Sequence, residues 1–182
     1  MLGLIKRTFS TKDPSVLLCL YKSLVRPHLE YCSPAWSPKY VKDKELLERI
    51  QQGFTRFFND LRDLDYAERL RRLGLWTLKE RRNRADLIEV YKIVNGLSNL
   101  PVSTFFEFRT DTRTRGHSLK LNKRRSNRDL RLHFFLERVV SRWNQLPSSV
   151  LEATSCKFIQ DTSADTQHYT VIGFFMDTSV SD

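Results

Sequence analysis

Six glycines and six prolines are few for 182 residues, too few for a low-complexity or loop-dominated protein. The three cysteines, Cys19, Cys32 and Cys156, lie far apart with no close pair. That excludes a disulfide framework and a zinc ligand set, and a reduced intracellular setting is expected, nuclear or cytoplasmic. No apolar run approaches the roughly 20 residues a spanning helix needs. Lys6 and Arg7 interrupt the apolar start at Leu2, Leu4 and Ile5, so neither a membrane partner nor a secretory signal is expected. The four histidines are scattered, with no nucleophile spaced to meet one. No two aspartates are adjacent; the cluster Asp60, Asp63 and Asp65 reads as capping and solvation rather than a metal site. No cofactor and no metal are expected. Positive charge is missing from residues 159–182, which hold Asp161, Asp165, Asp177 and Asp182 but no Lys or Arg.

The remainder is strongly basic. The whole chain has 31 Lys+Arg against 21 Asp+Glu. With the tail's four acids removed, residues 1–158 carry 31 against 17, a net +14. Such an excess suits a polyanionic partner, most simply nucleic acid. It concentrates in Arg109, Arg113, Arg115, Lys120, Lys123, Arg124, Arg125, Arg128 and Arg131, set against only Asp111 and Asp129. Ser, Thr and Asn between them can add phosphate hydrogen bonds. The bland alternative is a solvated basic loop. Phe105, Phe106, Phe134 and Phe135 could stack on bases, but their spacing suits a core better.

Local signals read as helix over most of the chain. Leu2, Ile5 and Phe9 suggest a helical fragment. Asp13 and Pro14 make an N-cap followed by Pro at the first helical position. Val16, Leu17, Leu20, Tyr21, Leu24 and Val25 then fill more than half a helical wheel, and Pro27 is expected to end or kink the run. Asp43 is expected to cap a helix reaching about Asn59. Its stripe of Leu46, Leu47, Ile50, Phe54, Phe57 and Phe58 spans an arc of roughly 120°. Asp65 with Glu68, and Thr77 with Glu80, make capping-box patterns for helices closed at Gly74 and at Asn95-Gly96. The second of these is apolar almost all round from Ala85 to Val94, so it should be buried. Arg81, Arg82 and Arg84 read as a basic cluster on its exposed start, paired with Glu80, Asp86 and Glu89. Around residues 118–122 alternation permits a short strand at best. From Phe134 helix returns, with Phe135, Leu136, Val139, Val140, Trp143 and Leu146 on one face and Phe134 off it, until Pro147. Trp36 and Trp143 read as core anchors, and His117 beside Gly116 as turn chemistry.

Two dense stretches stand out. Leu29-Glu30-Tyr31-Cys32-Ser33-Pro34-Ala35-Trp36-Ser37-Pro38 suits a fixed, packed turn, because each Pro locks φ and the aromatics offer area to bury. Phe134 to Pro147 is the other, ending in Trp143-Asn144-Gln145-Leu146-Pro147. With Leu2-Gly3-Leu4-Ile5-Lys6-Arg7, Leu20–Pro27, Leu46–Gln51, Arg69–Leu75 and Arg113-Thr114-Arg115-Gly116-His117, they occur in an order that resembles the region after the polymerase core of reverse transcriptases. The type is that of the non-long-terminal-repeat retrotransposons of the jockey and chicken-repeat kind. The likeness covers about residues 2–158. It implies the helical thumb, which grips the template–primer duplex, and the region that follows it. The family's polymerase chemistry needs paired aspartates holding two divalent metals, and that pair and the palm around it are absent here.

The expectation is therefore a mainly α protein. Residues 1–96 form a thumb-like helical bundle. Residues 97–158 form a small basic module with little β, ending in an amphipathic helix that docks on the bundle. Residues 159–182 form a divergent acidic tail without fixed structure. The expected function is non-catalytic contact with RNA, DNA or an RNA–DNA hybrid through backbone phosphates, a palm-bearing reverse transcriptase chain being a second candidate partner. The alternatives are a structural or protein-interaction module, and a transposon relic without selected function.

Overall fold

A computed structural model describes residues 1–9, 13–99, 101–110, 117–151, 157–161 and 169–173. The chain is mainly helical. It divides into two compact units, 1–85 and 86–182, so the division falls inside a helix, eleven residues before the expected boundary after Gly96.

In the first unit, α1 (Leu2–Thr8) buries Ile5. α2 (Pro14–Leu20) starts as the sequence predicts: Asp13 accepts hydrogen bonds from the Ser15 amide and hydroxyl, both at 2.9 Å, and Pro14 opens the helix. Pro27 does not end the run. A π-helical turn, Tyr21–Val25, precedes it, and α3 (Arg26–Glu30) continues with Pro27 in its first turn. Proline lacks an N–H and crowds the carbonyl four residues back, and a wider i→i+5 turn accommodates both. The buried residues Leu17, Tyr21, Val25 and Leu29 recur every fourth position. That spacing drifts around an ideal α-helix, and the π turn brings it back to one face.

Cys32, left-handed at φ 52°, turns the chain into α4 (Ser33–Trp36). The turn is fixed, since the Trp36 indole N–H donates to the Tyr31 carbonyl. It is not packed as expected, because Tyr31 and Trp36 are both exposed. The indole N–H finds its partner locally, so Trp36 is satisfied without entering the core.

α5 (Val41–Thr55) begins without a side-chain cap; Asp43 lies in its first turn, where a carboxylate favours the helix dipole. It ends four residues before Asn59, and a 3₁₀ turn, Asn59–Leu61, follows. Phe54 stacks on Tyr21 with centroids 4.2 Å apart and meets the edges of Phe57 and Phe58. Leu46, expected in this stripe, is exposed. The buried face of α5 instead includes a fully buried Gln51. The Gln51 side-chain carbonyl accepts from the Tyr21 hydroxyl at 2.8 Å, and its amide donates to the Trp76 carbonyl at 2.9 Å and the Tyr66 hydroxyl at 3.0 Å. One turn away, Glu48 accepts from Tyr66 and from the Leu78 amide, whose N–H reaches its two oxygens at 3.2 and 3.0 Å. Burial, then the Glu30 carboxylate, pushes the Tyr21 phenol far above its ordinary pKa, so it remains a neutral donor.

α6 (Tyr66–Leu73) is capped by Asp65, which accepts from the Ala67 amide, and closed by left-handed Gly74 at φ 60°. Glu68 does not complete a capping box. It bonds Arg71 and then Arg72 instead, which lowers its carboxyl pKa to about 2. α7 (Leu78–Val94) has the predicted box: Glu80 accepts from the Thr77 amide and hydroxyl, and the Glu80 amide donates back to Thr77 at 3.1 Å. The arginines at its start are not an exposed cluster. Arg81 pairs with Glu30 at 2.9 Å, Arg82 is buried, and Arg84 lies 5.0 Å over the Trp76 ring.

In the second unit, α8 (Val102–Phe105), α9 (Asp129–Leu132), α10 (Phe135–Arg138), α11 (Val140–Trp143) and α12 (Ser148–Leu151) are single turns. Lys157–Asp161 (β1) and Tyr169–Gly173 (β2) pair antiparallel, with Ile159 opposite Val171. The rest of the expected unstructured tail, residues 162–168 and 174–182, lies outside the described residues.

Gln51→Leu should destabilise the first unit by about 2–5 kcal/mol, because it strands the Tyr21 hydroxyl and the Trp76 carbonyl without water. Leu46→Ala, on the exposed side of the same helix, should stay within about 0.5 kcal/mol. Urea unfolding of the two variants checks this; equal midpoints would mean that Gln51 does not organise the unit.

Candidate nucleic-acid interface

The basic segment is rooted in the core of the second unit. Val90, Tyr91 and Ile93 of α7 are buried together with Phe106, Leu121, Val139, Val140, Trp143 and Leu151. The predicted apolar face survives, with Phe135, Leu136 and Leu146 packed at its margin. The single helix expected there does not, because a turn at Val139 divides it into α10 and α11. Val139 keeps helical dihedrals, φ −82° and ψ −32°, so the face passes through the break. Phe106 is buried edge-on to Phe135, Phe105 packs partly in the core, and only Phe134 stands exposed.

Trp143 is fully buried and bonded at both ends of its reach. Its indole N–H donates to the Leu119 carbonyl at 2.8 Å, and its own carbonyl meets His117 Nε2 at 3.1 Å. The next residue completes a clamp. Asn144 Oδ1 accepts from the Leu121 amide at 2.8 Å, and its Nδ2 donates to the Leu121 carbonyl at 2.9 Å. A side-chain amide thus serves residue 121 as a neighbouring strand would. On the other edge, Phe108 bridges Leu121; the Arg109 amide donates to Lys120 and the Asn122 amide to Glu107. His117 is therefore a core contact of Trp143 rather than a turn residue. Since a carbonyl accepts, Nε2 carries the proton, and the buried Nδ1 has no hydrogen-bond partner among the described residues.

This clamp fixes the start of the run Lys123–Arg131. Arg109, Lys123, Arg124, Arg125, Arg128 and Arg131 are exposed. Lys120 is buried, so it is removed from the expected phosphate-contacting set: its side chain turns inward where the strand is held. Arg113 and Arg115 lie outside the described residues. The exposed side chains are not all idle. Arg124 bonds Glu107 at 2.6 Å, Arg131 approaches Glu137 at 3.9 Å, and Lys123 donates to the Ser141 hydroxyl at 2.8 Å. That last bond brings Lys123 beside α11, whose Arg142 is also exposed and lies outside the expected set. Adjacency in the helix to a residue bonded from the basic run is its signal, and that bond is not visible in sequence.

The other feature missed is Arg138, which grips Asp86 through two bonds of 2.8 and 2.7 Å. Asp86 is 2% exposed, so removing Arg138 would leave a buried carboxylate unpaired, at a cost of about 3–5 kcal/mol. Among the described residues no group of three or more His, Cys, Asp or Glu is placed to hold a metal ion. No described helix is long and apolar enough to cross a membrane. No family model, no curated protein and no solved structure matches this chain.

His117 makes the clamp sensitive to acid. Burial, followed by the charge of Lys120, holds its pKa below the ordinary 6.5, against an opposing hydrogen bond to Trp143. The unfolded chain then binds the proton more readily than the folded one, so stability is complete above about pH 6.5 and declines as pH falls below it. Urea midpoints measured from pH 7.5 to 5.5 should fall for the wild type and stay nearly level for His117→Gln. A wild-type midpoint that rises on acidification would contradict the assignment.

Proposed function

We propose that this chain is the thumb and post-thumb part of a non-long-terminal-repeat retrotransposon reverse transcriptase. In this reading it contacts template–primer nucleic acid through backbone phosphates, without base preference. The observation that carries the reading is the clamp. His117 and Trp143, which belong to two separate marks of the resemblance, meet across 26 residues and hold the root of the basic run. The net charge of +10 agrees with a polyanionic partner. Phosphate contacts position a protein on nucleic acid but carry no sequence information. Chemistry would come from a palm-bearing chain, because the aspartate pair for two-metal catalysis is absent from this sequence.

A structural or protein-interaction module is the second reading. The ion pairs of Arg124 with Glu107 and Arg131 with Glu137, and the burial of Lys120, favour it, since those cations already have work inside the fold.

Replacing Lys123, Arg124 and Arg125 together with Ala separates the two. On the nucleic-acid reading, affinity for a short RNA–DNA hybrid at low salt should drop by at least about tenfold while the unfolding midpoint barely moves, as exposed sites allow. An unchanged affinity would favour the second reading. Purified chain with a primed template and Mg²⁺ should incorporate no nucleotide; extension abolished by Asp63→Asn would overturn the non-catalytic assignment.

A further inference from the structure

The first unit exposes three aromatic side chains between Glu30 and Val41. Tyr31, Trp36 and Tyr40 are 83%, 41% and 57% exposed. Trp36 is held rather than loose. Left-handed Cys32 sets the turn, and the Trp36 N–H is engaged by the Tyr31 carbonyl. With its one polar group occupied, the indole offers only its π face to a partner. Tyr40 follows four residues later across non-helical chain, at most about 14 Å away. The ammonium groups of Lys39 and Lys42 stand 5.2 and 5.8 Å from its ring centroid.

We infer that Tyr31, Trp36 and Tyr40 form a stacking platform for the bases of single-stranded nucleic acid, separate from the phosphate-contacting segment of the second unit. Exposed rings with Lys39 and Lys42 at one of them suit an unpaired strand, since every base has a π face and its phosphates lie alongside. A duplex keeps its bases stacked on each other and cannot use such rings. Local charge is nearly balanced, because Lys39, Lys42 and Lys44 stand with Asp43 and Glu45. Stacking therefore carries the affinity, and one or two phosphates are neutralised. The inference rests on nucleic acid as the class of partner, but not on the basic run.

The test uses the full chain with a 12-nucleotide oligo(dT) and an RNA–DNA hybrid of equal length. Oligo(dT) should quench the Trp36 emission, and Trp36→Phe should remove that signal while Trp76 and Trp143 remain. Trp36→Ala should weaken oligo(dT) binding by about 5- to 100-fold, the range for losing one stacked base, with Trp36→Phe weakening it less. Binding of the hybrid should not change. The slope of log K against log salt on oligo(dT) should be shallow, about −1, from −0.7 per phosphate on single strands. The Lys123, Arg124 and Arg125 to Ala variant should lose hybrid binding and keep the quenching. Should Trp36→Ala fail to fold, the wild-type quenching and the Trp36→Phe variant still decide. No quenching by oligo(dT) at low salt overturns the inference even if the hybrid binds. So does equal loss of both ligands in Trp36→Ala, or a Trp36 emission shift caused by self-association or by anionic vesicles in place of oligo(dT).

Discussion

A polar side chain set into an apolar helical face must find its partners inside the protein, because no water reaches it. Each unit is arranged around one such requirement. In the first, Gln51 lies on the buried face of α5 and ties the π turn, through Tyr21, to α6 through Tyr66 and to the chain entering α7 through Trp76. Glu48 adds a carboxylate at the start of α7, where the first amides have no intrahelical acceptor. In the second, Trp143 and Asn144 reach the backbone of Leu119 and Leu121 and so hold an irregular segment in place beside Phe108. Hydrophobic area supplies the drive in both, and these bonds decide which packing is allowed.

The features legible in the sequence are the local ones. Asp13, Asp65 and the Thr77–Glu80 pair cap the helices they precede, and Gly74 closes α6, because a cap involves residues two or three apart. The apolar face from Phe135 to Leu146 was legible from its period. What stayed hidden depends on residues far apart in the chain. Asp86 reads as surface charge until Arg138, 52 residues on, is seen to neutralise it. Lys120 reads as one cation among nine until its strand is seen to turn it inward. Trp36 was misread because its size suggests burial, whereas a carbonyl five residues back satisfies its indole at the surface. Pro27 does not end its helix, because a π turn lets the chain run past the proline.

These corrections reshape the candidate interface more than they enlarge it. Of the nine expected cations, six are exposed and described, and two of those six face carboxylates. Phosphates would have to compete with Glu107 and Glu137 for Arg124 and Arg131, whereas no ion pair of Arg109, Arg125 or Arg128 occurs among the described residues. The Arg124–Glu107 pair is exposed on both sides and worth about 1 kcal/mol or less, so a polyanion can displace it, whereas Glu137 is buried and its pair with Arg131 is not of that kind. The clamp behind them presents the run from a fixed root.

The salt dependence of wild-type binding to an RNA–DNA hybrid tests this account most directly. If Arg109, Lys123, Arg124, Arg125, Arg128 and Arg131 each neutralise a phosphate, log K should fall against log salt with a slope near −5, from about −0.9 per contact on duplex. No binding at low salt, or binding with a slope near zero, would contradict it.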